Sequence, residues 1–198
     1  LGSSGRWVEE TERKDRGSVR LIGLGGTTAD AMAPIRETGR FDVVLTAFNY
    51  SLLWREAEHA ILPTAKRLGM GVVIGSPLQQ GVLSRRHDAE VEAGPHWLSP
   101  PRRRQLLELY GLLDEIGMSL PEISLRFVLS NPNISCTLMG ARSEEEVERN
   151  IAAAAQGPLA PEILARLDQL VAMVPFRPTD EPACLPLGRD YPGLGPVR

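Results

Sequence analysis

At 198 residues the chain is long enough to bury one ordinary core, and its 22 lysines and arginines against 25 aspartates and glutamates leave a formal charge of -3. The cations are mixed with acids throughout rather than gathered into a stripe, which speaks against a nucleic-acid partner, and no apolar run approaches the roughly 18 residues of a membrane span. Two cysteines, Cys136 and Cys184, stand far apart and outside any metal-ligand spacing, so neither a disulfide framework nor a zinc site is expected and a reducing cytoplasm is the default compartment.

Residues 1–17 read as a ragged start followed by a charged, helix-forming stretch around Trp7 to Lys14, closed by Gly17. Ser18 to Gly26 then reads as a first buried strand running into a glycine turn. A short helix is expected from Thr28 to Thr38, stopped by Gly39, before a second strand from Phe41 to Phe48. Trp54 to Leu68 is helical in pattern, with Pro63 as the residue that should kink it, and Gly69 closes it. Gly71 to Gly75 is the third strand.

A long connection bearing Arg, Gly and Pro spans Gln79 to Pro101. Beyond it Leu106, Leu109, Leu113 and Ile116 form one apolar helical stripe ended by Gly117. The arginines at 102 to 104 are expected on a solvated helix face. A further helix begins around Pro121 and stops before Asn131-Pro132, and Ile134 to Met139 is the fourth strand. Helices follow over about Glu144 to Ala155 and Pro161 to Val174. Residues 175–198 carry six prolines and should form a tail that wraps the body or stays unstructured.

Strands alternating with helices, and apolar on both faces, predict an α/β fold with a parallel sheet in residues 18–174. Four strands make half of an eight-stranded barrel, so the chain is expected to be the C-terminal half of a (β/α)8 barrel, either a fragment or one of two copies that complete each other. Ligands of such barrels sit at the C-terminal ends of the strands, with phosphate groups near the last two. Two loops therefore matter. Gly75-Ser76-Pro77-Leu78-Gln79-Gln80-Gly81 follows the third strand and offers a hydroxyl and a glycine beside an open backbone; as pattern alone it is also a plain strand-exit turn. Gly140-Ala141-Arg142-Ser143 follows the fourth, and Ser143 with Glu146 makes a capping box that leaves Arg142 unexplained.

These two blocks, about 60 residues apart and each after an expected strand, resemble the aldo/keto reductase family from about Val19 to Asn150. The resemblance implies that Ser76, Pro77, Leu78 and Gly81 hold the pyrophosphate of NAD or NADP, and that Gly140, Arg142, Glu146 and Asn150 meet the adenosine. It departs from most members at Gly25-Gly26, where a Ser-Asn pair is usual, at Leu45 in place of a glutamine, and at Gly75 in place of an aromatic ring. Those departures resemble the branch acting on free aldoses, the L-fucose, D-threo-aldose and L-galactose dehydrogenase type, which leans toward NAD. The implied activity is oxidation of an aldose or reduction of an aldehyde.

The family's catalytic Asp, Tyr, Lys and His come from strands that have no counterpart among these residues, so the chain carries no catalytic residue of its own and should be silent alone. Its partners would be a small-molecule aldose or aldehyde and either a missing N-terminal half or a second copy. Tyr50 follows the second strand but lacks a Lys or His companion and reads as packing. The alternative from another class is a shortened, non-catalytic relative that binds a nucleotide or a partner protein through an exposed sheet edge.

Overall fold

The computed structural model describes residues 11–28, 37–176, 181–182 and 184–189. Most of the helix expected at Thr28 to Thr38, the beginning of the one around Trp7, and part of the tail lie outside the described residues. Within them, residues 11–15 are helical and lead into a sheet of four parallel strands in the order β1 (Gly23–Gly26), β2 (Val43–Ala47), β3 (Gly71–Gly75) and β4 (Cys136–Leu138). Asp42 fastens the start of β2 to the segment ahead of β1. Its carboxylate accepts from the Ile22 N–H at 2.8 Å and from Lys14 Nζ at 2.6 Å, and the lysine bond is the main reason its pKa lies below the usual carboxylate value.

Pro63 does break the helix in which the sequence places it. Two short helices, α1 (Glu56–Ala60) and α2 (Leu62–Arg67), meet at Ile61, with the proline in the first turn of α2 where its missing N–H costs no intrahelical bond. After β3 come α3 (Asp88–Ala93) and α4 (Pro100–Ile116), whose Leu106, Leu109 and Leu113 are buried and whose end is Gly117 at φ 66°. α5 (Leu120–Leu129) starts on the Ser119 cap and leads to β4, followed by α6 (Glu144–Ala155) and α7 (Pro161–Ala172).

The strands are apolar on both faces, yet only one face is deeply covered. Val44, Val72 and Ile74 point into the core with Leu106, Leu113 and Ile123 from the helices. The other face, carrying Val43, Leu45, Ala47 and Val73 at the centre, is half-buried, and Gly23, Gly25, Cys136 and Leu138 at its margins are exposed. Both margins also expose apolar side chains: Val19 and Leu21 beside β1, and Val147 and Ile151, one turn apart on α6, beyond β4. This explains why β1 is shorter than the expected Ser18 to Gly26. The ladder with β2 begins at Gly23, and Leu21, 61% exposed, lies outside it.

Arg102 corrects the expectation of a solvated arginine run. It is fully buried, donates to Glu181 at 3.1 Å and to Gln105 Oε1 at 2.6 Å, and lies over the Trp54 ring. Its carboxylate partner belongs to the proline-rich tail, so the described part of that tail is packed on the body, with Leu185 and Leu187 in the core. Arg103 donates to the carbonyls of Val91 and Glu92, whereas Arg104 is exposed as expected.

Candidate functional site

Because all four strands are parallel, their C-terminal ends share one rim, and the turns after β3 and β4 emerge side by side from neighbouring strands. The turn after β3 is conformationally unusual. Ser76, Gln79, Gln80 and Gly81 all have positive φ, at 54, 49, 56 and 103°, a region that only glycine enters freely. The Gln79 side chain holds it from within, donating to the Phe48 carbonyl at 2.9 Å and to Ser51 Oγ at 3.0 Å. Among the described residues the Ser76 hydroxyl has no hydrogen-bond partner.

The turn after β4 runs into the head of α6. Ser143 Oγ accepts from the Glu146 N–H at 3.3 Å, and the Glu146 carboxylate accepts from the Arg142 N–H at 2.7 Å. This is the expected capping device shifted by one residue at its return bond. With its backbone so fixed, Arg142 is exposed, and its guanidinium has no hydrogen-bond or ion-pair partner among the described residues. It stands at the positive end of a 12-residue helix.

Both turns open onto one cleft of about 960 Å³. Ser76, Pro77, Leu78 and Gly81 line it from the turn after β3, and Gly140, Arg142, Glu146 and Asn150 from the turn after β4 and from α6. The eight residues named from the sequence are thus brought together. Leu113, Met118 and Pro121, at the junction of α4 and α5, add apolar lining. Sequence reasoning missed Arg85, Arg86 and Arg149, which also line the cleft. Arg149 had a usable signal, since it lies three residues after Glu146 and so on the same helix face. Arg86 is occupied by Asp114 and Asp88, whose hydrogen bonds raise its pKa further above the arginine range.

The donor set suits a phosphate-bearing ligand: an unpaired guanidinium, a serine hydroxyl and the head of a helix converge on a space within the usual size of a small-molecule site. Among the described residues no tyrosine, lysine or histidine lines it. Tyr50 is buried against Phe127, accepts from Asn131 Nδ2 at 3.0 Å, and is pushed by burial to a pKa of about 12. Its place is in the packing. His59 and His96 are exposed, and burial lowers the pKa of His87. Among the described residues no cluster of His, Cys, Asp or Glu could hold a metal ion, and no helix is long and apolar enough to cross a membrane.

Residues 8–172 match the profile of the aldo/keto reductase family. The chain belongs to that family. Among aldo/keto reductase relatives, it is 27% identical over 154 residues to the NADH-specific methylglyoxal reductase of Escherichia coli strain K12, covering 72% of this chain and 46% of that protein. It is 32% identical over 163 residues to the uncharacterized oxidoreductase YrpG of Bacillus subtilis strain 168, covering 78% and 49%. It is 29% identical over 164 residues to the L-galactose dehydrogenase of Arabidopsis thaliana, covering 77% and 49%. The chain spans about half the length of the curated relatives it matches.

Proposed function

We propose that this chain forms the dinucleotide-holding half of an aldo/keto reductase barrel, in a cytoplasmic oxidoreductase that acts on an aldose or a related aldehyde. The observation that carries this reading is the cleft in which Arg142, unpaired among the described residues, and the Ser76 turn face a common space. In this reading Ser76, Leu78 and Gly81, with Pro77 stiffening their turn, hold the pyrophosphate. Gly140, Arg142, Glu146 and Asn150 hold the adenosine. Three glutamates in the first turn of α6 disfavour a further phosphate on the ribose, which makes NAD the preferred cofactor over NADP.

When bound, the nicotinamide would supply or accept the hydride that interconverts a carbonyl and an alcohol. The matching proton must move at the substrate oxygen, and none of the described residues lining the cleft is a tyrosine, lysine or histidine able to do this. What the chain's own residues do is bind and orient. The half-buried sheet face and the apolar side chains exposed at both margins support completion by further strand and helix units, which would bring the catalytic groups. The exposed Cys136 thiol suits a reducing compartment.

The same two exposed margins favour a second reading, a module that binds nucleotide or a partner without turnover. Titration of the chain with NADH, NADPH and ADP-ribose tests the site in either case. NADH and ADP-ribose are expected to bind, NADPH more weakly. Negligible binding of all three to a folded sample would remove both readings, and aldehyde-dependent NADH oxidation by the chain alone would contradict the assignment of catalysis to other units.

A further inference from the structure

The turn that contributes Gln80 and Gly81 to the cleft needs an external hold. Three residues with side chains, Ser76, Gln79 and Gln80, adopt left-handed backbone there, and such conformations persist only where neighbouring structure imposes them. Gln79 is fixed from inside by its buried amide, but Gln80 is exposed and contributes no such anchor. The hold on Gln80 comes from the other end of the chain. Arg189 Nη2 donates to the Gln80 carbonyl at 2.9 Å, and a side chain built at Gly81 would meet the same nitrogen at 3.6 Å. Cys184 Sγ lies 3.6 Å from the Gln79 carbonyl.

The segment that delivers these contacts is itself fastened. The Gly188 N–H donates to Glu90 Oε2 at 2.7 Å, the Arg189 N–H donates to the Pro186 carbonyl at 2.9 Å, and Leu185 and Leu187 are in the core. The Glu181 carboxylate, a few residues earlier, is locked to Arg102. A trans peptide directs its N–H opposite to its carbonyl. Holding the Gln79 carbonyl on the Cys184 side therefore turns the Gln80 N–H away from the tail, and no protein group among the described residues accepts from it.

We propose that residues 184–189 act as a strap that positions the Gln79 to Gly81 turn for the pyrophosphate, with Arg189 as its positioning residue. This rests on the reading of the cleft as a dinucleotide site. Arg189 does not line the cleft; it acts through the backbone of Gln80. Because it is exposed and its bond is a single contact, its loss should loosen the turn without unfolding the body.

The test compares the full chain with Arg189→Ala and Arg189→Lys by backbone amide hydrogen exchange, thermal melting and NADH titration. Arg189→Ala is expected to speed exchange across residues 79–83, to leave the melting temperature unchanged and to weaken NADH binding about fivefold, the size expected for one ordinary net hydrogen bond. Arg189→Lys, which keeps a charged donor, should recover most of both effects. Unchanged exchange in Arg189→Ala overturns the strap. So does weaker NADH binding without faster exchange that vanishes in high salt, because that is the behaviour of a remote charge. A wild-type chain that fails to bind NADH overturns the dinucleotide reading, and the exchange result then decides separately whether the strap holds the turn.

Discussion

The carboxylate of Glu146 accepts a hydrogen bond from the backbone N–H of Arg142, so the acid and the cation of the cleft are locked together through main chain while the guanidinium remains unpaired among the described residues. This arrangement separates two jobs. Glu146 sets the local conformation and places a negative charge at the helix head; Arg142 keeps its donors available for a ligand.

Glu146→Gln should therefore preserve the cap, since the amide oxygen still accepts from Arg142, while removing the charge that opposes a ribose phosphate. The expected outcome is a rise in NADPH affinity relative to NADH of about tenfold, equivalent to about 1.4 kcal/mol. Paired titrations of wild type and variant with the two cofactors check it; an unchanged ratio would show that Glu146 plays no part in the preference.

Arg102 and Glu181 form an ion pair with both side chains fully removed from solvent. Arg102→Met should cost about 3 to 5 kcal/mol in chemical denaturation, because it strands a buried carboxylate. Replacing both residues by methionine should recover more than half of that loss, since the remaining charge is then gone. If the double variant is no more stable than the single one, the cost lies in lost packing against Trp54 rather than in the orphaned charge.

Tyr50 supplies a pH dependence whose sign is fixed by burial. Burial raises its pKa from 10.0 to about 12, so the folded chain keeps the phenol proton longer than the unfolded chain does. Its contribution to stability is complete below pH 10 and is lost as the pH climbs from 10 toward 12. Tyr50→Phe should lower stability at neutral pH by about 1 kcal/mol through the lost bond from Asn131, and should flatten the alkaline decline. Denaturation midpoints across that range, with ultraviolet titration of tyrosinate, read both effects.

Much of this architecture is local and was legible in the sequence. The α6 boundaries follow from Ser143 with Glu146 and from the alanine run, and the α4 end follows from Gly117 in left-handed conformation. Both halves of the cleft are short contiguous blocks, so each could be read where it stood. What the sequence did not disclose depends on distant contacts. Nothing near Arg102 announces a buried partner 79 residues away: its spacing of four residues from Leu106 puts it on the buried face, and only its charge argued for solvent. Likewise the length of β1 depends on where β2 begins to pair with it, and apolarity alone extends it too far back.

Because every cleft-lining residue among those described falls between Ser76 and Gln156, in the turns after two adjacent strands and in the helices between and after them, the described lining draws on one stretch of the chain. A site encoded in one stretch can be inherited, exchanged by recombination or grafted as a cassette, while the segments that choose the substrate diverge at their own pace. The arginine that steadies the turn from the tail sets the limit of that freedom: a graft that ends at Gln156 would leave it behind.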